Sequence, residues 1–335
     1  VAGDWSTAPP LPREIQVEVT AACNLRCRMC LVRYQPPVDR VTGTMSLADF
    51  TALVDGVPGV ERITLQGLGE PLLVPHLDDM IRLAAARGIA VGFNTNGTLL
   101  TPGRAERLVE AGLAWLHVSV DGATAATYES IRDGSRFDRV RRGVQAIVAA
   151  RERLGNGRPE LSLVCVAMRR NHRELPALVR LAAEWGVGRL WVQNLSHTFS
   201  DTDPAGRYGE IREFTAAETL VDGAEADASF ERARQVADEV GVDLRLPRTE
   251  ETPARRRPDT PGCDWPWRSA YVTREGSLQP CCMVMGADRA ELGRVGDGPF
   301  AEQWVAPPYR RFREQLLGDE PPAVCRGCSS YRGLF

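Results

Sequence analysis

Seven cysteines fall into two sets whose spacing suits metal chemistry. Cys23, Cys27 and Cys30 stand within the segment EVTAACNLRCRMC, while Cys263, Cys281, Cys325 and Cys328 are gathered in the last quarter of the chain. Two more of the nine cysteines fall outside these sets: Cys165, which stands alone, and Cys282, which directly follows Cys281. In a reducing compartment, clustered thiols are better read as metal ligands than as disulfides. A structural zinc site would want a fourth thiolate or imidazole, and no histidine lies near the first set. Three ligands leave one metal position open. Thiolate-rich loops favour iron–sulfur chemistry, in which an open iron binds substrate or cofactor atoms directly. The second set makes a closed site of four thiolates, which by ligand chemistry alone holds either zinc or a [4Fe-4S] cluster.

Other polar residues stand where strands should end. Gln66-Gly67-Leu68-Gly69-Glu70-Pro71 is a turn whose glycines let the backbone approach a ligand closely. Asn94-Thr95-Asn96-Gly97 and Ser119-Val120-Asp121-Gly122 place further polar groups at successive strand ends, where they line a site rather than a core. Arg169, Arg170, Gln193 and Asn194 follow apolar runs and could reach a polar ligand; arginine suits a carboxylate. The four histidines show no mutual spacing for a metal and are read as packing or surface residues. Cys165, on an apolar strand, is read as a small core hydrophobe.

The elements that must position these groups alternate from Arg13 to about Pro247. Strands are expected over 14–20, 62–66, 90–94, 115–120, 161–168 and 190–194, with helices over 46–55, 77–87, 102–111, 137–154, 174–185 and 224–240. Ser46 and Thr101 are the expected N-caps. Such βα alternation predicts an α/β fold, a partial six-stranded TIM-like barrel with a small C-terminal extension. The expected divisions are an N-terminal segment (1–12), the barrel (13–248), and a linker with a cluster-bearing domain (249–335), the Pro- and Arg-rich stretch 249–261 marking the boundary. Within the extension, β-like runs flank Gly276 and an Arg-rich helix is expected near 309–317. Of 335 residues, 43% are hydrophobic and 25% charged, enough to bury a large core, and the net charge of -3 gives no electrostatic reason to expect nucleic acid or a membrane surface as partner. With no signal-like N-terminus and no spanning apolar run, the expected location is the cytoplasm.

The loop Cys23-x3-Cys27-x2-Cys30 after a first strand resembles that of the radical S-adenosylmethionine (SAM) superfamily. The resemblance implies that these three cysteines bind three irons of a [4Fe-4S] cluster. The fourth iron would chelate the amino and carboxylate groups of SAM, whose reductive cleavage gives methionine and a 5'-deoxyadenosyl radical that abstracts a substrate hydrogen. Gly67, Gly69 and Glu70 resemble the family's glycine-glycine-glutamate motif that meets the SAM amino group. Asn96 and Ser119 would lie near SAM, with Gln193 and Asn194 as further contacts, while Asp121 and Arg169 would serve the substrate. The family often has an aromatic residue before the third cysteine to contact adenine; here it is Met29.

The second set, with Gly276 between Cys263 and Cys281 and a late pair two residues apart, is similar to the twitch domain, a shortened SPASM domain. That likeness implies one auxiliary [4Fe-4S] cluster on Cys263, Cys281, Cys325 and Cys328, hence two clusters plus SAM as cofactors. It further implies a reducing partner such as flavodoxin or ferredoxin and a small-molecule substrate, a sugar-containing natural-product intermediate being the first choice. After hydrogen abstraction a ring can be epimerised, oxidised to a ketone or decarboxylated; peptide modification is the other enzymatic alternative. Cys282, beside a ligand and able to return hydrogen to a radical, tilts the choice to epimerisation. An iron–sulfur electron-transfer protein and a metal-stabilised binding module are the non-enzymatic alternatives. The first does not need an open iron, and the second does not need SAM-contacting motifs.

Overall fold

The computed structural model describes residues 5–34, 43–154, 157–220, 223–248, 261–286 and 288–334. Nearly all of the expected linker 249–261 lies outside them.

Apolar, β-branched runs form the expected six strands: β1 (Glu14–Val17), β2 (Arg62–Leu65), β3 (Ala90–Thr95), β4 (Trp115–Ser119), β5 (Glu160–Val166) and β6 (Arg189–Gln193). A seventh, β7 (Asp243–Arg245), pairs with β6. It is only three residues long and charged at both ends, so no run of apolar residues announced it. All seven are parallel and neighbours in chain order.

Register decides which face does what, because side chains alternate along each strand. Ile15 pairs with Ile63, Ile63 with Val91, Phe93 with Leu116, Leu116 with Leu161 and Leu163 with Leu190, so one face is continuously apolar and joins the main core. Cys165 is part of that core, as expected of a small hydrophobe. The other, inner face carries Gln16, Thr64, Asn94, His117, Ser119 and Gln193. At its base the His117 ring touches Trp115 and Trp191, each with a centroid separation of 4.5 Å. Burial, helped by Arg62 and Arg189, lowers the His117 pKa to about 4, so this imidazole is neutral.

Helices alternate with the strands: α1 (Leu31–Tyr34), α2 (Leu47–Gly56), α3 (Leu77–Ala86), α4 (Pro102–Glu110), α5 (Ala125–Ile131), α6 (Phe137–Leu154), α7 (Leu175–Glu184), α8 (Gly209–Glu218) and α9 (Gly223–Val240). Most of them bury residues in the main core, whereas α1 and α8 meet in a separate small cluster of Leu31, Phe199, Tyr208 and Ile211. Ser46 caps α2 by accepting from the Asp49 N–H, and Thr101 caps α4 by accepting from the Arg104 N–H. Along α6, Val140, Gly143, Val144, Ile147 and Ala150 are buried, the spacing of one helical face. α5 and α8 were not foreseen. α5 carries a threonine and a serine, poor helix formers, and starts from a Thr124 N-cap. It is held from outside, since the Glu174 carboxylate accepts from the Ala123 N–H at 2.8 Å and from the Thr127 hydroxyl.

The extension does not stand apart from the barrel. Its first strand β8 (Ser269–Val272) pairs in parallel with β1, and β9 (Ser277–Gln279) and β10 (Gly293–Arg294) follow antiparallel. One ten-stranded sheet results, in the order β10-β9-β8-β1-β2-β3-β4-β5-β6-β7. Four helices complete it: α10 (Trp265–Arg268), α11 (Phe300–Trp304), α12 (Pro307–Leu317) and α13 (Ala323–Arg326). The N-terminal segment is sewn to this end as well: the Trp267 and Trp304 indoles donate to the Ser6 and Pro10 carbonyls, and Arg313 donates to that of Thr7. Among the described residues, no helix is long and apolar enough to cross a membrane.

Candidate functional site

The loop between β1 and α1 carries Cys23, Cys27 and Cys30 at the carboxyl end of the parallel strands, where α/β folds bind ligands. Three neighbours hold it. From β2's exit, Glu70 N–H donates to the Ala22 carbonyl at 2.8 Å. From β3's exit, Asn96 donates to the Asn24 side chain at 2.9 Å and lies 3.9 Å from the Cys23 sulfur. From the end of α5, the Asp133 and Ile131 carbonyls accept from the Arg26 and Arg28 N–H groups, both at 3.0 Å. Arg132, between those two residues, donates to the Cys27 sulfur at 3.8 Å.

The glycines of the β2 turn answer to this crowding. A Cβ on Gly69 would lie 2.2 Å from the Thr20 carbonyl oxygen and 2.6 Å from that of Ala22, and one on Gly67 would lie 2.2 Å from the Glu18 side chain. Both positions need glycine so that the turn can reach the cysteine loop. Glu70 is turned inward: its carboxylate accepts from the Thr95 hydroxyl (2.6 Å), the Asn96 N–H (2.8 Å) and the Leu72 N–H (3.1 Å), and the residue is 2% exposed. Three of its four lone-pair sites are thus filled by the chain. Glu70, expected with Gly67 and Gly69 to meet a ligand, also ties two strand exits together. Glu18, unremarked in the sequence, is a second buried carboxylate there, accepting from Leu68 N–H at 2.9 Å and from the Tyr271 hydroxyl of β8 at 3.0 Å. Burial raises both carboxyl pKa values.

Two residues expected to serve a substrate have their polar atoms engaged within the chain. Asp121 is wholly buried, bound by Arg132 Nε at 2.6 Å and by the Val166 N–H at 2.8 Å, so it faces no open space. Arg169 is exposed and tied to the end of α8, its Nε donating to the Thr219 carbonyl at 3.1 Å. Arg170 pairs with Glu218 on the same helix. Asn194 spends its amide on the Arg248 and Leu334 carbonyls, both at 2.9 Å, and Met29 packs with Ile131, Met168 and Leu195. Ser119 and Gln193 do lie half-buried at strand ends on the inner face.

The second set converges as expected. Cys263, Cys281, Cys325 and Cys328 line one pocket, walled by Trp265, Pro266, Val284, Phe312 and Leu316. Among the described residues no group of three thiol, imidazole or carboxylate side chains is arranged to hold a single ion. Zinc would need its sulfurs about 2.3 Å from one centre. Four thiols lining one apolar-walled pocket suit a polynuclear cluster, so the residues fit the iron–sulfur alternative. The barrel braces this pocket through the stretch after β6: Thr198 N–H donates to the Gly327 carbonyl (2.9 Å), Ser329 N–H to that of Ser196 (3.0 Å), and His197 Nε2 lies 2.6 Å from that of Val324. Arg289, paired with Asp201 at 2.8 Å, lies over Phe199 and Tyr208 beside Cys325.

Burial is the first cause of every resolved thiol shift. It pushes Cys23 up to about 11, Cys27 to about 12, Cys263 to about 11 and Cys282 to about 12, with neighbouring thiols adding to it. Free thiols here keep their protons, which metal must displace.

Residues 17–182 match the profile of the radical SAM superfamily, and 263–329 match that of an iron–sulfur cluster-binding domain, SPASM. The chain belongs to the radical SAM superfamily. Its enzymes use SAM and iron–sulfur clusters, and require a reductant. The AdoMet-dependent heme synthase of Methanosarcina barkeri is 28% identical over 342 residues, covering 95% of this chain and 91% of that protein. A tungsten-containing aldehyde ferredoxin oxidoreductase cofactor-modifying protein of Pyrococcus furiosus is 31% identical over 188 residues, covering 54% of this chain; the chain spans about half of that relative, 51%. The solved structure of Streptococcus suis SuiB bound to S-adenosylmethionine superposes with a TM-score of 0.70 at 16% identity, covering 96% of this chain and 72% of SuiB, and shows the shared fold.

Proposed function

We propose that this radical SAM enzyme inverts a carbon centre of a small polar substrate, a sugar-containing intermediate first, and that Cys282 returns the hydrogen. In this reading Cys23, Cys27 and Cys30 hold one [4Fe-4S] cluster and Cys263, Cys281, Cys325 and Cys328 a second. Held there, the first would supply the electron for reductive cleavage of SAM. Gly67 and Gly69 let the β2 turn close on the cysteine loop, Asn96 positions Cys23, and Ser119 and Gln193 offer hydrogen bonds to the bound molecules. Half-buried Thr64, Gln66, Asn94, Ser119 and Gln193 give the inner face the hydroxyls and amides that a polyhydroxylated ring can bond.

The observation that carries the reading is the placing of Cys282. Desolvation keeps the thiol protonated, with a pKa pushed up to about 12, and it neighbours Tyr271, whose hydroxyl donates to Glu18, which accepts from the β2 turn. Cys282 directly follows Cys281 of the auxiliary pocket and neighbours Tyr271, whose partner Glu18 accepts from the turn expected to meet SAM. A thiol that gives up a hydrogen atom is left as a thiyl. An electron from the reducing partner, a flavodoxin or ferredoxin, and a proton from water restore it.

The test is anaerobic reconstitution with iron and sulfide, then dithionite, SAM and candidate sugars in deuterated water. Inversion with one deuterium at the inverted carbon, lost in Cys282→Ala while 5'-deoxyadenosine still forms, is the expected result. Full turnover by Cys282→Ala would remove the thiol's role; a ketone or a released carboxylate would replace inversion by oxidation or decarboxylation.

A further inference from the structure

Arg132 has no counterpart in the roles assigned so far, yet its guanidinium touches a sulfur of the first set. Its guanidinium lies between two partners: Nε donates to Asp121 Oδ2 at 2.6 Å and Nη1 to Cys27 Sγ at 3.8 Å. Both ends are fixed. Asp121 also accepts from the Val166 N–H, while its backbone carbonyl accepts from Asn171 at 2.9 Å. The arginine backbone caps α5, donating to the Tyr128 carbonyl, and its neighbours Ile131 and Asp133 bond the cysteine loop from either side. Asp133 adds an ion pair to Arg33 at 2.9 Å, past the third cysteine.

Arg132 and Asp121 are both buried, so their charges are poorly screened. The pair acts as a fixed dipole with its positive end against Cys27. A positive charge and a hydrogen bond at a cluster sulfur stabilise the state that carries the added electron and so raise the reduction potential. Removing a salt-bridge partner from a surface would hardly matter, but here Cys27, Arg132 and Asp121 are all buried.

We propose that Arg132, held by Asp121, is a positioning residue that sets the reduction potential of the SAM-binding cluster through Cys27. The proposal rests on Cys27 being a ligand of that cluster. Its experiment is an EPR-monitored redox titration of the reconstituted full chain, the cluster being recognised by the change in its signal when SAM is added.

Arg132→Met and Arg132→Gln are expected to keep the iron content of the parent but to shift the potential downward. The expected size is a tenfold lower reduced-to-oxidised ratio at a fixed solution potential, which is 59 mV for a one-electron couple. Arg132→Lys, which keeps the charge, is expected to recover most of that shift. A parent-like potential in a fully loaded Arg132→Gln overturns the proposal, and so does loss of iron from all three variants, which would make Arg132 a structural clamp alone. If Arg132→Met alone fails to load, Arg132→Gln and Arg132→Lys decide between these results. A SAM-responsive signal that survives Cys27→Ala would instead sink the ligand assignment, so the two failures are distinguishable.

Discussion

The two thiol sites are built in opposite ways. The first draws its sulfurs from one short loop after β1 and borrows its surroundings from three strand and helix ends, whereas the second gathers sulfurs from Cys263, Cys281 and the pair Cys325 and Cys328, far apart in the chain. A loop site can lose its metal and leave the sheet standing. A site that joins distant segments holds those segments together, so its binding free energy is also folding free energy. Each site nonetheless keeps one buried arginine, Arg132 or Arg289, fastened to a buried aspartate.

The sharpest way to break that contrast is to remove one cysteine from each site. Cys27→Ala is expected to lose about half of the iron and all 5'-deoxyadenosine formation while the thermal midpoint hardly moves, whereas Cys263→Ala is expected to lose a similar share of iron and cost about 3 kcal/mol or more of stability, as lost metal sites do. Anaerobic thermal unfolding beside iron analysis checks both; equal drops in midpoint would end the distinction. Gly69→Ala comes next. Its Cβ would displace the β1 exit, an overpacking worth about 1–3 kcal/mol. Because that strain falls on the cysteine loop, 5'-deoxyadenosine formation should drop at least tenfold while iron in the second site stays. Unimpaired cleavage would mean that the turn and loop are not coupled. Smallest is Arg169→Ala: a surface change within about 0.5 kcal/mol, so that cleavage stays within about twofold. A large loss would return Arg169 to the site.

What the sequence made legible was what neighbouring residues decide. Alternating apolar runs marked six strands, Ser46 and Thr101 marked helix starts, and cysteine spacing marked both thiol sets. Roles set by distant partners were not legible. Asp121 at a strand end looked available for a substrate until Arg132 and the Val166 N–H took both its oxygens. Glu18 sat in an apolar strand and gained its meaning from Tyr271, which arrives 253 residues later. The pairing of β8 with β1 left no trace either, because a parallel ladder between remote strands has no turn to announce it.

That ladder sets a schedule for biogenesis. β1 is made before its partner β8, which follows about 250 residues behind, on the order of 10–50 s at typical synthesis rates. Throughout that wait one edge of the nascent sheet stays open, a template for pairing with another chain. The protein's yield in cells should therefore depend on whatever shields that edge before the last quarter of the chain emerges.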